Sequence, residues 1–158
     1  MKKRNILVVD NDVIYACRLR EHLLDIGFRV TLAENCKEGK KVLGGKVRID
    51  LVILDNLLPD GSGVSLLKTL ARNEQLQRPP VIISSSVVDS KDESREALLR
   101  QLPMFSRALI QAHVHKTTSL ESMDTVMDLI FQSKPPSRDS KTMLTGDYHH
   151  PKRPRQHE

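Results

Sequence analysis

The 158-residue sequence has no tryptophan, two tyrosines and three phenylalanines, so any core it buries must be aliphatic. Its two cysteines, Cys17 and Cys36, show neither metal-site spacing nor the density of a secreted disulfide framework; they read as reduced thiols. No apolar run reaches membrane length, and the run in MKKRNILVVD stops after four residues, too short for a signal peptide. The chain is therefore expected to be soluble and cytoplasmic, with no membrane contact. Charge of one sign is scarce as well. The formal net charge is +5, but residues 1–131 hold 19 Lys and Arg against 17 Asp and Glu, and residues 132–158 hold 6 against 3. A nearly balanced body argues against nucleic-acid binding by the domain itself. The basic, proline-containing stretch 132–158 reads as a solvated, disordered tail. There is no internal repeat, and Gly61 and Gly63 lack the third glycine of a dinucleotide fingerprint.

What is present is organised around LVILDNLLPDGSG, Leu51 to Gly63. Four apolar residues lead straight into Asp55, and a turn-rich segment follows. Runs of this kind suit a strand buried on both faces of a parallel sheet. Such a strand delivers its last residue to the carboxyl edge, where open α/β folds place their ligands. Asp55 is accordingly expected at the lip of a site, open to solvent. The plainer reading, a helix cap, fits Asp60, Gly61 and Ser62 better.

The same alternation runs along the chain. Residues 5–9 (NILVV) predict a buried strand ending in Asp10-Asn11-Asp12, and Val13 to Ile26 a helix with Ala16, Leu19, Leu23 and Ile26 on one face, stopped by Gly27. Phe28 to Leu32 predicts a strand nearer the sheet edge. Helices follow at about Lys37–Leu43 and Val64–Arg72, around a strand at Asp50–Leu54. Val81-Ile82-Ile83 predicts strand four, ending in Ser84-Ser85-Ser86. Ser90 to Glu93 opens a helix through about Gln101, which Pro103 breaks before a second short helix at Met104–Gln111. Ala112–His115 predicts strand five. Thr118 to Glu121 reads as a capping box for a last helix whose stripe is Leu120, Met123, Met127 and Ile130. Repeated strand–helix units with right-handed crossovers predict an α/β fold: a doubly wound parallel sheet with helices on both faces, occupying residues 1–131.

That winding brings Asp10-Asn11-Asp12, Asp55, Ser85 and Lys116 to one sheet edge. Clustered carboxylates need a cation, and hard oxygen donors in small number suit Mg2+. A carboxylate can then act as nucleophile toward a phosphoryl group, whose oxygens a lysine and a serine hydroxyl would contact.

ILVVDND (6–12), LVILDNLLPDGSG (51–63), PVIISS (80–85) and the lysine of HVHKT (113–117) together resemble the receiver domain of two-component response regulators. The resemblance covers about residues 5–131 and implies five parallel strands in the flavodoxin-like order 2-1-3-4-5. It implies that Asp55 is the phosphoacceptor and that Asp10, Asn11, Asp55 and the backbone carbonyl of Leu57 hold Mg2+. Ser85 and Lys116 would contact the phosphoryl group, and Ser85 and His113 would move as the switch. The implied partners are a sensor histidine kinase or phosphotransfer protein and a downstream protein meeting residues 86–131. With no helix-turn-helix or catalytic motif after residue 131, the reading is a stand-alone receiver that signals by protein contact, not an enzyme.

Three departures stand out. Asn11 replaces the family's metal-ligating aspartate, so Mg2+ affinity should fall unless Asp12 compensates. Thr117 replaces the proline after the lysine; a cis bond there would cost about 2.5–4 kcal/mol, so a trans peptide is expected. The segment from Ser85 to Lys116 is longer than one helix requires. These departures motivate an alternative, a degenerate receiver acting as a phosphorylation-independent interaction module. A third reading sets ILVVDNDV beside haloacid-dehalogenase-type phosphatases, with Asp10 as nucleophile and Asp12 as acid/base. It lacks a late acidic pair and leaves LPDGSG unexplained. His113 and His115 are read as surface residues, since no third metal ligand is in view.

Overall fold

A computed structural model describes residues 2–86 and 99–133 of the chain. The apolar runs become strands: β1 (Asn5–Val9), β2 (Arg29–Ala33), β3 (Leu51–Asp55), and, after a two-rung ribbon of β4 (Leu57–Leu58) and β5 (Gly61–Ser62), β6 (Val81–Ser85) and β7 (Ile110–His115). The five long strands are all parallel, in the order β2-β1-β3-β6-β7. Counting those five alone, this is the expected 2-1-3-4-5. Helices α1 (Val13–Asp25), α2 (Cys36–Leu43), α3 (Gly63–Arg72), α4 (Met104–Leu109) and α5 (Leu120–Gln132) lie between and after them.

Alternate strand residues feed two cores, because successive side chains point to opposite faces. Leu7, Val9, Val52, Leu54 and Ile83 pack with Leu43, Leu66, Leu70 and Leu109 from α2, α3 and α4. Ile6, Val8, Leu51, Ile53 and Ile82 pack with Leu19, Leu23, Met123 and Met127 from α1 and α5. The two methionines are core fillers, as their spacing predicts. β3 is buried at every position, whereas the outer strand β2 alternates, as expected of an edge. Full burial of one such Leu or Ile contributes roughly 1.5–3 kcal/mol, so the central strand is the least movable part of the domain.

Several boundaries differ from the expectations. β3 starts at Leu51, because Asp50 turns out of the strand to accept a hydrogen bond from Asn5 N (2.8 Å) and pair with Arg48 (3.2 Å). β3 therefore ends on Asp55 itself, in register with Ser84. β6 runs two residues past Ile83. β7 begins at Ile110, which shortens the helix expected to reach Gln111. The last helix is capped by Ser119, not Thr118: the Ser119 hydroxyl accepts from Ser122 N at 3.2 Å. The capping box at Ser90–Glu93 lies outside the described residues. Gly27 has φ +101° and closes α1 with bonds from Gly27 N to Leu24 O and Phe28 N to Leu23 O, the pattern that favours glycine.

Candidate functional site

At the carboxyl edge the strand ends converge as the winding requires. Asp10 follows β1 and donates its N–H to Ala33 O (2.9 Å), so it is held against β2. Its side chain is 2% exposed. Oδ1 accepts from Asp12 N (2.8 Å) and from Lys116 Nζ (3.0 Å). Asp12 caps α1, its Oδ1 accepting from Tyr15 N at 3.1 Å. The carboxylate expected to compensate at a metal is thus engaged in starting a helix. Asn11 is exposed beside it.

Asp55 accepts from Leu57 N at Oδ1 (3.2 Å) and from Lys116 Nζ at Oδ2 (3.1 Å). It is 5% exposed. The expectation of an open carboxylate is corrected in this respect: Asp55 stands at the lip of the sheet, but Lys116 covers it. Lys116 follows β7, and its N–H is held by Ser85 O at 2.9 Å. Its ammonium bridges Asp55 and Asp10, lying 2.8 Å from Asp10 Oδ2.

The electrostatics follow from that bridge. Burial pushes the Asp10 carboxyl above its ordinary range; the hydrogen bonds from Lys116 and Asp12 oppose this, and the nearby Asp55 charge reinforces it. Burial alone would lower the Lys116 pKa, but the hydrogen bonds to Asp10 and Asp55 outweigh it and the pKa is raised. The lysine is therefore a fixed cation at neutral pH.

Beneath the site, Gly63 N donates to Asn56 O at 3.0 Å, bringing the start of α3 against the backbone of Asp55. Ser62 and Ser65 form the capping box of α3. Asp60 reaches across to α2, accepting from Cys36 N (2.8 Å) and Lys37 N (3.0 Å). These backbone donors hold its carboxyl below the usual range. Beyond Lys116 the peptide to Thr117 is trans, as expected. His115 Nδ1 accepts from Thr117 N (3.1 Å) and lies 2.6 Å from Thr117 Oγ1, while Nε2 lies 3.2 Å from Ser86 O. His115 thereby ties the loops after β6 and β7 together. His113 is exposed on β7, in register with Ile83.

Sequence reasoning passed over Tyr15, read His115 only as a surface residue and gave Asp60 only a cap's role. Tyr15 places its hydroxyl 3.2 Å from Ser84 Oγ and its ring centroid 5.0 Å from Lys116 Nζ. His115 and Asp60 organise the flanking loops. The only signal for Tyr15 was its place three residues after the cap Asp12, one turn into α1.

The donors present are two buried carboxylates, the Asn11 amide and the Leu57 carbonyl: few, hard oxygens, of the kind Mg2+ accepts. Asp10 Oδ2 lies 2.8 Å from Lys116 Nζ and is already paired with a cation, whereas the buried Asn56 Oδ1 has no hydrogen-bond partner among the described residues. A buried oxygen left without a partner is one that a cation or a water could engage. Among the described residues no cluster of three His, Cys, Asp or Glu is gathered. The set fits Mg2+ with fewer charges.

A doubly wound parallel sheet with acids and a lysine gathered at its strand ends defines a receiver-type α/β domain. The family model described as "Response regulator receiver domain" matches residues 6–105, and the chain belongs to that family. It is 34% identical over 88 residues to "Probable transcriptional regulator ycf29" of Porphyra purpurea, covering 56% of this chain and 42% of that protein. It is 29% identical over 82 residues to "Two-component response regulator ORR11" of Oryza sativa subsp. indica, covering 52% of this chain and 56% of that one. The chain thus spans about half the length, or less, of these relatives. Among solved structures, a putative response regulator from Chloroflexus aurantiacus superposes with TM-score 0.69 at 19% identity, covering 84% of this chain and all of that one. A two-component response regulator from Clostridium difficile gives 0.68 at 22% identity, covering 82% and 96%. These likenesses show the fold. Receiver domains as a class bind Mg2+ and are signalling domains. No helix among the described residues is long and apolar enough to cross a membrane.

Proposed function

We propose that the chain is a phosphorylation-dependent switch in which Asp55 accepts a phosphoryl group from a histidine kinase or phosphotransfer protein. The observation that carries this reading is the Lys116 ammonium held between Asp55 (3.1 Å) and Asp10 (2.8 Å). A buried carboxylate with a charged hydrogen-bond donor already beside it is a preorganised acceptor. An Asp55 oxygen attacks phosphorus, the donor's bond to phosphorus breaks, and the electron pair leaves with the donor. Lys116 would then neutralise a phosphoryl oxygen, and Ser85, the last residue of β6, is proposed to turn its hydroxyl toward another. Bound Mg2+, held by Asp10, Asn11, Asp55 and the Leu57 carbonyl, would supply the remaining countercharge. The new dianion biases a two-state element, for which Ser85 and His113 are the proposed movers.

Output is proposed to run through residues 86–131 to a protein partner, with residues 1–131 as the switch, 132–158 as a tail and the cytoplasm as its compartment. Exposed Met104 and Phe105 of α4 lie within that region. Incubation with Mg2+ and acetyl phosphate, followed by intact-mass measurement, tests the acceptor. One added phosphoryl group, absent in Asp55→Asn, is expected. No addition, or addition that survives the substitution, overturns the reading.

A second reading, a phosphorylation-independent interaction module, is favoured by one observation: Asp55 is covered by Lys116 in a site short of one carboxylate. Mg2+ titration against the backbone amides of Asp10 and Asp55 separates the two. Saturable binding supports the switch, and its absence supports the module. The phosphatase reading is set aside, because the Asp12 oxygen it needs as acid/base caps α1, and the family match spans the 51–63 block.

A further inference from the structure

We propose that Tyr15 is a positioning residue for Lys116: its ring carries the lysine ammonium over the two carboxylates, and its hydroxyl anchors that ring to the sheet through Ser84. Three observations meet here. The Lys116 Nζ lies 5.0 Å from the Tyr15 ring centroid, within the distance at which a cation is attracted to an aromatic face. The Tyr15 hydroxyl lies 3.2 Å from Ser84 Oγ, and Ser84 is fully buried. Ser84 is also the residue in register with Asp55. The aromatic ring is therefore tied to the same rung of the sheet that carries Asp55.

The lysine needs such a guide. Its backbone is fixed by Ser85 O, but its four-carbon stem has several rotamers. A cleft of about 280 Å³ opens beside it between α1 and the loop after β7, walled by Tyr15, Arg18, Leu19 and Thr117 to Leu120. Without the ring, the ammonium can turn from the carboxylates into that space. With it, the same cation meets Asp10, Asp55 and the aromatic face at once. Burial raises the Tyr15 pKa, so the hydroxyl stays protonated and able to bond Ser84.

The consequence for phosphorylation rests on Asp55 being the acceptor; the geometric part does not. The test uses the full chain, with the wild type compared to Tyr15→Phe and Tyr15→Leu, each first checked for folding by circular dichroism. The first readout is the chemical shift of the Lys116 ε-methylene protons, which a ring at this distance displaces upfield. The second is the rate of phosphoryl uptake from acetyl phosphate at saturating Mg2+. The expected result is a displaced signal in the wild type, a smaller displacement in Tyr15→Phe, whose ring has lost its anchor, and a return to the ordinary lysine position in Tyr15→Leu. Uptake is expected to slow roughly three- to tenfold in Tyr15→Leu, with Tyr15→Phe recovering most of it, the range a cation–π contact supports. An undisplaced signal in the wild type, or a folded Tyr15→Leu as fast as the wild type, overturns the proposal. If Tyr15→Leu does not fold, the wild-type signal decides alone: a displaced one supports the proposal and an undisplaced one overturns it. A wild type that takes up no phosphate sinks the acceptor reading instead, and the methylene signals alone then decide for or against Tyr15.

Discussion

A Cβ placed on Gly63 would lie 2.8 Å from the carbonyl oxygen of Asp55 and 3.3 Å from Asn56 Cα. The start of α3 is thus pressed against the backbone that holds the candidate phosphoacceptor, and only a residue without a side chain allows the approach. Backbone cannot step aside as a flexible side chain can. Gly63→Ala should therefore cost about 1–3 kcal/mol, the ordinary range for overpacking a tight site. Urea denaturation would measure it. A neutral result would mean that α3 can retreat from β3 without loss.

Removing Lys116 leaves Asp10 and Asp55 facing each other with no cation. Lys116→Met should destabilise the metal-free protein at pH 7 by about 3 kcal/mol, at the low end for breaking a buried pair because the site lies at the sheet edge. The pH dependence has a definite sign. The Asp10 carboxyl is already raised above its ordinary 3.8, and the Lys116 bond is one of the influences holding it down. In the variant it rises further, so the folded state takes up a proton before the unfolded chain does. The deficit should be largest near neutral pH and shrink as pH falls toward 4. Added Mg2+ should restore part of it at pH 7. Thermal melts at pH 4.5 and 7, with and without Mg2+, give the comparison; a deficit that grows on acidification contradicts the assignment.

The burial of β3 and the convergence of Asp10, Asp55, Ser85 and Lys116 were legible because they follow from one physical rule, whereas the sheet order came only with the family resemblance. Apolar runs bounded by turns become buried parallel strands, and their ends share an edge. What escaped was set by contacts that composition does not announce. Asp50 reads as part of the strand until its carboxylate is seen to bond Asn5 N. Ser119 and Thr118 are equally good caps in a string of letters, and only backbone geometry chooses between them. Tyr15 looks like a helix residue among others; its role depends on the distance to a lysine 101 positions away in the sequence. The solvent exposure of Asp55 was misjudged for the same reason, since the residue covering it comes from the far end of the domain.

Asp60 shows how a loop residue can brace the site from outside it. Its two oxygens accept the first N–H groups of α2, which have no partner within the helix. Asp60→Ala should loosen the loop from Leu57 to Ser62 and lower stability at neutral pH. Because these bonds hold the carboxyl below 3.8, their contribution is present above that value and is lost as pH falls through the lower folded pKa. The stability difference between wild type and Asp60→Ala should accordingly narrow below pH 4. Hydrogen exchange at Cys36 and Lys37 N–H would report the same contact directly, with faster exchange expected in the variant.

Asn11 bears on how strongly the site attracts a cation. The exposed amide offers an oxygen but no charge, and neighbouring Asp12 is occupied with Tyr15 N. Two carboxylates share one lysine, so a divalent ion entering here must compete with Lys116 for both. Asn11→Asp adds a third carboxylate that Lys116 does not bridge, and ligand charge is what sets the affinity of a hard-oxygen site. The substitution should tighten Mg2+ binding in a titration followed by the Asp55 amide, and should speed phosphoryl uptake at subsaturating Mg2+ while changing the saturated rate less. It should also lower stability in the absence of metal, because three acids then crowd one edge. Unchanged Mg2+ affinity in Asn11→Asp would show that residue 11 does not reach the ion.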